Sequence, residues 1–328
     1  MARSTALTEP HALPQAACHV NVDLSVSIVS YRTPAMLRQC LESISAERTG
    51  LTIEVAVVDN ASGDGSAEMV AERFPWVRLI RNQRNRGFAA AHNQALRRAS
   101  GRYWLVLNSD AAPSPGALRT LADFLDVHPG VAIAGPRLRY PDGTVQPSRR
   151  RFPTLATLFL ESTQLQRFSP SNPVLRRYYI ADRSDDEPQD VDWLVGACLC
   201  VRAAAGQHVG LFDERFFMYS EELDWCRRFR AAGWRVVYVP AAEVIHFEGG
   251  SSRLDLAARD RRFQASKVRY AAKWHGAWVA AALRAYLVLE YVARAGEESA
   301  KLALGSRAAE RRARLRVIGS ALRNALRG

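Results

Sequence analysis

Short apolar runs alternate with longer helical stretches along the first third of the chain. The runs have the length and composition of buried strands, and polar residues stand at their carboxyl ends. Strands interleaved with helices of this length predict βαβ units and a parallel sheet, and therefore an α/β fold. The predicted strands are residues 24–30, 53–58, 77–81 and 103–107, and the predicted helices are residues 34–46, 66–74 and 87–99.

The pattern is less regular after residue 140. Prolines and aromatic residues crowd residues 149–190, which predicts an insertion or mobile loop, spanning about 141–190, that borders the active site. The later predicted elements are a strand at 191–201 interrupted by Gly196, a helix at 221–232, extended segments at 234–239 and 243–246, and helices from residue 255 onward.

Composition and charge divide the chain into unequal parts. A chain of 328 residues with 48% hydrophobic residues suits one large α/β domain with an appendage. The net charge is +12, and residues 253–328 hold 17 Lys/Arg against 6 Asp/Glu. The rest of the chain is therefore nearly neutral, which argues against a catalytic domain that grips nucleic acid and for a basic appendage with an anionic partner.

The N-terminus and the cysteines bear on where the protein works. Residues 1–22 lack the apolar region of a signal peptide and are expected to form a flexible leader. The five cysteines are scattered, and the pair Cys198 and Cys200 has no second pair to complete a zinc site. We interpret the cysteines as small buried residues of a protein in a reducing compartment.

Asp110 follows the fourth predicted strand, in the sequence NSD at 108–110. A strand interior does not accommodate a free carboxylate, so Asp110 is expected at the sheet edge where α/β folds bind ligands. An oxygen ligand at a rigid strand end suits a hard cation that holds a phosphate. An Asx turn before Pro113 is the alternative explanation.

Two other strand ends carry candidate binding groups. Asp59 follows the second strand and can accept hydrogen bonds from a ribose or a base, or can cap the next turn. His246 precedes a glycine-rich loop and can supply an imidazole to a metal or a phosphate, although a buried structural histidine has the same pattern. The absence of a GxGxxG motif after the first strand and of a Walker A lysine argues against standard dinucleotide and P-loop sites.

Three acids, Glu221, Glu222 and Asp224, begin the predicted helix at 221–232. They can simply cap the helix, because carboxylates stabilise a helix N-terminus. Large apolar neighbours such as Phe216 would instead raise a carboxylate pKa toward the range of a general base. At helical spacing Glu221 and Asp224 share a face while Glu222 points elsewhere, which predicts one catalytic acid and two orienting ones.

These segments together resemble glycosyltransferase family 2, the inverting enzymes of the GT-A fold, and within it the bacterial rhamnosyltransferase-like group. The resemblance covers about residues 24–252, with the motifs in the family's order. The matching segments are residues 26–31 (VSIVSY), 57–66 (VVDNASGDGS), 85–93 (NRGFAAAHN), 107–110 (LNSD), 221–224 (EELD) and 232–246, which begins AGW and ends at His246. It implies a GT-A domain at 23–254, a Rossmann-like mixed sheet with helices on both faces, followed by a basic helical extension at 255–328.

The resemblance also implies roles for individual residues. Asn108 to Asp110 stands where the family has its Asp-x-Asp motif, which makes Asp110 the direct ligand of Mg²⁺ or Mn²⁺ and His246 a further member of that site. Glu222 falls on the family's general base. The residues implied to bind the nucleotide sugar are Ser30, Tyr31, Asp59, Asn60, Asn85, Gly87, Phe88, Asn93, Asn108 and Ser109.

Two positions depart from the family's pattern. Asn108 replaces the first aspartate of the metal motif and removes one negative charge, as is usual in the rhamnosyltransferase-like group. Glu222 replaces the aspartate that serves as base and reaches one methylene further. The base role therefore stays open between Glu222 and its neighbours Glu221 and Asp224.

The implied activity is metal-dependent transfer of a sugar, with inversion, from a nucleotide-diphosphate donor to a hydroxyl of a saccharide or lipid-linked acceptor in cell-surface polysaccharide synthesis. The resemblance favours a dTDP-linked deoxysugar such as rhamnose. A non-catalytic protein that binds nucleotide sugars on the same fold is the alternative, and the substitutions at Asn108 and Glu222 are its support. No nucleic-acid partner is expected, because the basic tail lacks the interleaved aromatic residues of stacking platforms.

The basic C-terminal segment predicts amphipathic helices. Residues 276–295 are apolar but contain Arg284 and Glu290, which makes them a poor membrane-spanning helix. Residues 307–327 place apolar residues among arginines at helical spacing. Residues 276–328 therefore suit an anionic membrane surface, which predicts a cytoplasmic protein peripheral on the inner face of the plasma membrane. A helical extension packed on the domain is the alternative.

Overall fold

The computed structural model of the chain describes residues 22–169, 172–250, 256–305 and 307–327. The predicted leader, apart from residue 22, and the end of the glycine-rich loop after His246 lie outside the described residues. The four cysteines within the described ranges are buried and free: Cys40, Cys198, Cys200 and Cys226.

The first half of the fold follows the predicted alternation closely. Its elements are β1 (Leu24–Ser30), α1 (Pro34–Glu47), β2 (Ile53–Asp59), α2 (Ser66–Arg73), β3 (Arg78–Arg81), α3 (Phe88–Leu96) and β4 (Tyr103–Asn108). Pro34 occupies the first turn of α1, where its missing N–H leaves no helical hydrogen bond unmade. The strands β3, β2, β1 and β4 are neighbours in that order and pair in parallel.

The second half makes the sheet mixed. It adds β5 (Ala111–Pro113), α4 (Ala117–Val127), β6 (Val131–Arg139), β11 (Cys198–Arg202), α8 (Ala203–Val209), α9 (Glu221–Ala231) and β12 (Arg235–His246). Strand β11 lies antiparallel between β4 and β6, whereas β12 runs parallel to β6. The two extended segments predicted around Pro240 are one strand, because a register shift between Val239 and Glu243 accommodates the proline. The sequence pattern predicted no helix or strand for residues 111–140, where the structure has β5, α4 and β6.

The predicted insertion contains short elements rather than a continuous loop. They are β7 (Val145–Gln146), β8 (Arg149–Arg150), α5 (Leu155–Leu160), α6 (Gln164–Phe168), α7 (Pro173–Tyr178) and β9 (Gln189–Val191). β10 (Trp193–Leu194) pairs with β8, and β9 pairs with β12. The strand predicted at 191–201 is therefore divided among β9, β10 and β11, with Gly196 in the break.

Hydrophobic layers cover both faces of the sheet. Along β4, Tyr103, Leu105 and Leu107 belong to one buried cluster. Trp104 and Val106 belong to a second cluster on the opposite face. Because successive side chains of a strand alternate between faces, this pattern means that the sheet is buried on both sides.

The C-terminal region forms three helices, α10 (Leu256–His275), α11 (Ala277–Ala303) and α12 (Ala308–Arg327). Tyr270 and Ala271 of α10 are buried in the same cluster as Trp225 and Phe229 of α9. The helix α10 is therefore part of the core and is not a detached appendage. None of the helices in the described ranges is long and apolar enough to cross a membrane.

Candidate active site

The predicted site residues converge at one edge of the sheet. Ser30 is in register with Asp59 across β1 and β2, and Val29 is in register with Asn108 across β1 and β4. Parallel strands carry their carboxyl ends to the same edge, and a cavity of about 340 Å³ lies there. The predicted residues that line it are Tyr31, Asn60, Asn85, Gly87, Phe88, Asn108, Ser109, Asp110, Glu221, Glu222 and His246.

Two polar groups at the ends of β1 and β2 are buried without partners. Within the described part of the chain, Oγ of Ser30 and Oδ1 of Asp59 have no hydrogen-bond partner. The other carboxylate oxygen of Asp59 accepts from the backbone N–H of Ser62 at 3.4 Å. Buried polar atoms are nearly always paired, so these two are exceptions, but neither Ser30 nor Asp59 is among the residues that line the cavity.

Asn60 and Asn85 shape the wall of the cavity through hydrogen bonds within the protein. Nδ2 of Asn60 donates to Oδ1 of Asn85 at 2.9 Å and to the carbonyl of Gly87 at 3.1 Å. Oδ1 of Asn60 accepts from the backbone N–H of Arg86 at 2.9 Å. These bonds fix the loop between β3 and α3 at the end of β2.

Gly87 lies where this loop meets the segment that precedes α9. Its φ is +81°, and an added Cβ would clash with the carbonyl oxygen of Phe217. The backbone N–H of Phe88 donates to that carbonyl at 2.7 Å. Both the positive φ and the close approach of the two backbones require glycine here.

We therefore expect Gly87→Ala to lower the free energy of unfolding by more than about 2 kcal/mol, because the methyl group must displace backbone. The matched control is Gly63→Ala, which has φ +62° but nothing within 4 Å of its added Cβ. Its cost should be about 1 kcal/mol, the penalty of a left-handed residue alone. Urea titration of both variants measures the difference, and equal losses would contradict the predicted clash.

Asn93 does not line the cavity, contrary to its predicted place beside the nucleotide sugar. It is buried, and its Nδ2 donates to the carbonyl of Phe212 at 2.9 Å and to Oε1 of Glu214 at 3.0 Å. Its Oδ1 accepts from the backbone N–H of Phe212 at 3.1 Å. Asn93 thus fastens α3 to the loop that leads into α9, and it affects the site only through that loop.

Asp110 and His246 meet across the cavity floor. Nε2 of His246 lies 3.3 Å from Oδ1 of Asp110, and Oδ2 of Asp110 accepts from the backbone N–H of Gly250 at 3.0 Å. Nδ2 of Asn108 is also 3.3 Å from Nε2 of His246. Ser109, which also lines the cavity, has its hydroxyl 2.9 Å from that of Thr33.

Gln146, which no sequence pattern identifies, orients His246. Its Oε1 lies 2.9 Å from Nδ1 of the imidazole. With Nδ1 donating to Gln146, Nε2 faces the carboxylate of Asp110, where it donates to that carboxylate when protonated and is free to share a cation with it when not. A hydrogen-bond acceptor on the remote nitrogen is the arrangement that metal-binding histidines use.

The donor set fits a divalent cation that is shared with a substrate. Among the described residues no three His, Cys, Asp or Glu side chains form a metal-binding group. One carboxylate, completed by diphosphate oxygens and water, matches the way in which proteins hold Mg²⁺, and the imidazole would be a further ligand. Burial tends to raise the pKa of Asp110, but the hydrogen bond and charge of His246 and the amide of Gly250 hold that pKa below its usual value.

Glu221 and Glu222 line the opposite side of the cavity at the start of α9. Tyr219 and Ser220 precede them with φ of +71° and +63°, a left-handed pair that turns the chain sharply into the helix. Gly196 leaves room for the second glutamate, since a Cβ there would lie 3.3 Å from that of Glu222. Oε2 of each glutamate has no hydrogen-bond partner among the residues that the structure describes.

The two glutamates differ in how their charge is stabilised. Burial, and then the charge of Glu222, raise the pKa of Glu221 well above its usual value. Burial also raises the pKa of Glu222, but backbone amides, including those of Gly196 and Leu223, oppose the rise. The charged form of Glu222 therefore receives more stabilisation from backbone amides than that of Glu221.

The prediction that Glu221 and Asp224 share a functional face is wrong. Asp224 is fully buried away from the cavity, where Nζ of Lys273 and Nε1 of Trp274 contact its Oδ1 at 2.7 and 2.8 Å. Nε of Arg228 donates to its Oδ2 at 3.0 Å. The first turn of α9 faces the cavity end-on, so Glu221 and Glu222 both reach it, while the carboxylate of Asp224 is held by α10.

The helix α10 contributes two further residues to the cavity that sequence reasoning missed, Arg259 and Arg262. They belong to the basic C-terminal quarter, whose charge the sequence pattern assigns to a surface away from the catalytic domain. Nothing in the local sequence marks them, because their position depends on how α10 packs against α9.

The site is a cavity of about 340 Å³ at the carboxyl edge of a mixed sheet, within the size range of small-molecule sites, and carboxylates line it. A family model described as Glycosyl transferase family 2 matches residues 25–183. The N-acetylglucosaminyl-diphospho-decaprenol L-rhamnosyltransferase of Mycobacterium tuberculosis is 35% identical over 272 residues, covering 80% of this chain and 88% of that protein. The rhamnosyltransferase WbbL of Escherichia coli is 37% identical over 83 residues, 25% of this chain and 31% of WbbL. The chain therefore belongs to glycosyltransferase family 2 and is a glycosyltransferase.

Solved structures share the fold. The mannosyltransferase PcManGT from Pyrobaculum calidifontis, in complex with GDP-Man and Mn²⁺, has a TM-score of 0.52 at 18% identity and covers 94% of this chain and 88% of its own. GalNAc-T7, solved with UDP, GalNAc and Mn²⁺, has a TM-score of 0.52 at 16% identity over 75% of this chain and 48% of its own. The predicted GT-A fold with a C-terminal helical region is confirmed.

Proposed function

We propose that the protein transfers rhamnose, with inversion, from a dTDP-linked donor to a hydroxyl of a lipid-diphosphate-linked saccharide in cell-wall polysaccharide synthesis. The single observation that carries the proposal is the convergence of Asp110 and His246 with Glu221 and Glu222 on one cavity. The similarity to the rhamnosyltransferase of M. tuberculosis, whose name specifies a diphospho-decaprenol acceptor, supports the choice of sugar and acceptor.

The proposed reaction is a single displacement at the anomeric carbon. A bond forms from the acceptor oxygen to that carbon while the bond to the diphosphate oxygen breaks, and the acceptor proton passes to Oε2 of Glu222. Attack on the face opposite the leaving group inverts the configuration, and no covalent enzyme intermediate is needed. Glu222 suits the base role because its carboxylate is stabilised by backbone amides and its Oε2 has no partner in the described part of the protein.

Asp110 and His246 are the residues that would hold Mg²⁺ or Mn²⁺. When bound, such a cation supplies positive charge that stabilises the departing diphosphate. Gln146 keeps the imidazole oriented, and Gly250 fixes the carboxylate through its backbone N–H. Tyr31, which lines the cavity, would receive the base and ribose, and Ser30 and Asp59 would join it only once their buried Oγ and Oδ1 become accessible.

A transfer assay with purified protein tests the proposal. The protein, Mn²⁺ and a short-chain polyprenyl diphospho-N-acetylglucosamine are incubated in turn with dTDP-rhamnose, UDP-GlcNAc and GDP-mannose. We expect transfer from dTDP-rhamnose and an anomeric configuration in the product, determined by NMR, opposite to that of the donor. Transfer from another donor alone would overturn the choice of sugar, retention would overturn the mechanism, and nucleotide-sugar binding without any transfer would favour the non-catalytic alternative.

We also propose that α11 rests on the membrane that carries the acceptor. Its solvent face is apolar from residue 278 to residue 293 and holds Trp278, Leu289 and Val292, which are 90%, 68% and 52% exposed. Exposed arginines of α12, such as Arg312 and Arg316, add positive charge in the same region of the chain. An exposed apolar helix face with basic neighbours is typical of helices that lie on anionic bilayers.

Replacing both Trp278 and Leu289 by serine should weaken binding to vesicles of phosphatidylglycerol at least about tenfold, because apolar surface no longer enters the bilayer. The matched control is Val127→Ser, which removes an equally exposed apolar side chain, 71% exposed, from α4. Co-sedimentation measures the partition, and equal binding of the double variant and the wild type would contradict a membrane role for this face.

A further inference from the structure

The helix α10 brings two guanidinium groups to a cavity that is otherwise rich in carboxylates. Arg259 and Arg262 lie one turn apart and line the cavity together with Asp110, Glu222 and Glu248. In the described ranges neither arginine forms an ion pair with a carboxylate, whereas the two lysines of α10 do. Two arginines that line a substrate cavity without an acidic partner are suited to an anionic ligand.

Contacts with the segment before α9 and with α9 itself hold the helix α10, which carries both arginines. The hydroxyl of Ser266 donates to the carbonyl of Met218 at 2.8 Å, and Nζ of Lys273 pairs with the buried Asp224 at 2.7 Å. The guanidinium of Arg262 lies 4.9 Å from the ring centre of Phe217. This cation–π contact places Arg262 beside the segment that leads directly into α9 and its two glutamates.

The proposed reaction brings two diphosphates to this cavity. The donor diphosphate is accounted for by Asp110, His246 and their cation. The diphosphate that joins the acceptor sugar to its lipid has no such counter-charge, although it must lie near the base that activates the acceptor hydroxyl. Arg259 and Arg262 line the same cavity as Glu222, and α10 leads at Gly276 directly into α11, whose apolar face we assign to the membrane.

We propose that Arg259 and Arg262 form the binding site for the diphosphate of the lipid-linked acceptor. The inference rests on the proposed function, because it assumes an acceptor with a diphosphate. The planar guanidinium pairs well with phosphate oxygens through two parallel hydrogen bonds. The pair holds the acceptor so that its sugar hydroxyl faces Glu222, while the lipid leaves the cavity toward α11.

Direct binding measurements test the inference without requiring turnover. The double variant Arg259→Gln/Arg262→Gln is compared with the wild type by calorimetry for three ligands, each in the same detergent. The ligands are short-chain polyprenyl diphospho-N-acetylglucosamine, octyl N-acetylglucosaminide and dTDP with Mn²⁺. We expect Kd for the diphosphate lipid to rise at least about tenfold, since each charge-assisted hydrogen bond contributes substantially, and the other two values to stay within about twofold.

The control variant is Arg269→Gln, which removes an exposed arginine of α10 that does not line the cavity. It should bind all three ligands like the wild type, and circular dichroism should show that both variants are folded. An unchanged Kd for the diphosphate lipid would overturn the inference. A rise in Kd for dTDP alone would assign the arginines to the donor diphosphate and overturn the proposed acceptor site. If the wild type binds the diphosphate lipid but transfers no rhamnose, the proposed function is overturned. The comparison of Kd values then still tests whether the arginines bind the diphosphate.

Discussion

Glu222→Gln is expected to lower kcat about a thousandfold, within the range by which positioned general bases accelerate reactions. Glutamine keeps the size of the side chain and its place beside Gly196 but cannot accept the proton of the acceptor hydroxyl. The KM for the nucleotide sugar should change little, because the donor is held at the other side of the cavity. Initial rates at saturating donor and acceptor measure the effect.

Glu221→Gln is the matched comparison, since it removes the same group one residue earlier. Burial raises the pKa of Glu221 well above its usual value, and fewer backbone amides stabilise its charged form than that of Glu222, which makes it the weaker candidate for the base. The amide should therefore lower kcat less than about tenfold. If Glu221→Gln abolished transfer while Glu222→Gln retained it, the base role would belong to Glu221.

The pH profile gives a second and independent measure of Glu222. The base acts when ionised, and burial raises its pKa above the ordinary glutamate value of 4.5. The rate should therefore fall as the pH drops through that raised pKa, at a higher pH than for an exposed glutamate. The small residual rate of Glu222→Gln should lack this acid limb. If the rate of Glu222→Gln fell at low pH as that of the wild type does, a group other than Glu222 would control the pH dependence.

The sequence was sufficient for the parts of the fold that local patterns determine. Strands β1 to β4 are short apolar runs between clear helical stretches, and each ends in a polar residue that marks the sheet edge. Because parallel strands share that edge, the strand pattern by itself places Asp59 and Asp110 at the same edge of the sheet, although only Asp110 lines the cavity. The family motifs then added the expectation of a mixed sheet, which the antiparallel β11 supplies.

Features that depend on tertiary packing could not be predicted in this way. Helical spacing alone predicted that Glu221 and Asp224 share a face. The first turn of α9 instead points its end at the cavity, and Asp224 forms a buried ion pair with Lys273 of α10. The strand β12 continues through Pro240 because its pairing with β6 shifts register between Val239 and Glu243. No local sequence signal indicates that shift. Gln146 acts on His246 from a two-residue strand, too short to give any periodic pattern.

Asp110→Ala is expected to lower kcat/KM by about two to three orders of magnitude, because the donor diphosphate loses the cation that stabilises its developing charge. Asp110→Asn should show nearly the same loss although its amide oxygen can still accept from Gly250, which separates the charge of the carboxylate from its packing. Both variants should also bind dTDP with a much weaker dependence on Mn²⁺. Calorimetric titration of dTDP at several Mn²⁺ concentrations measures this without turnover.

Asp123→Ala is the control for the loss of an aspartate. Its side chain is exposed on α4 and forms a surface pair with Arg119 at 3.6 Å, a contact that contributes little. This variant should match the wild type in rate and in Mn²⁺ dependence. A normal Mn²⁺ dependence of dTDP binding in Asp110→Ala would instead remove the carboxylate from the metal site. His246, which faces Oδ1 of Asp110 at 3.3 Å, would then have no partner there that could share a cation.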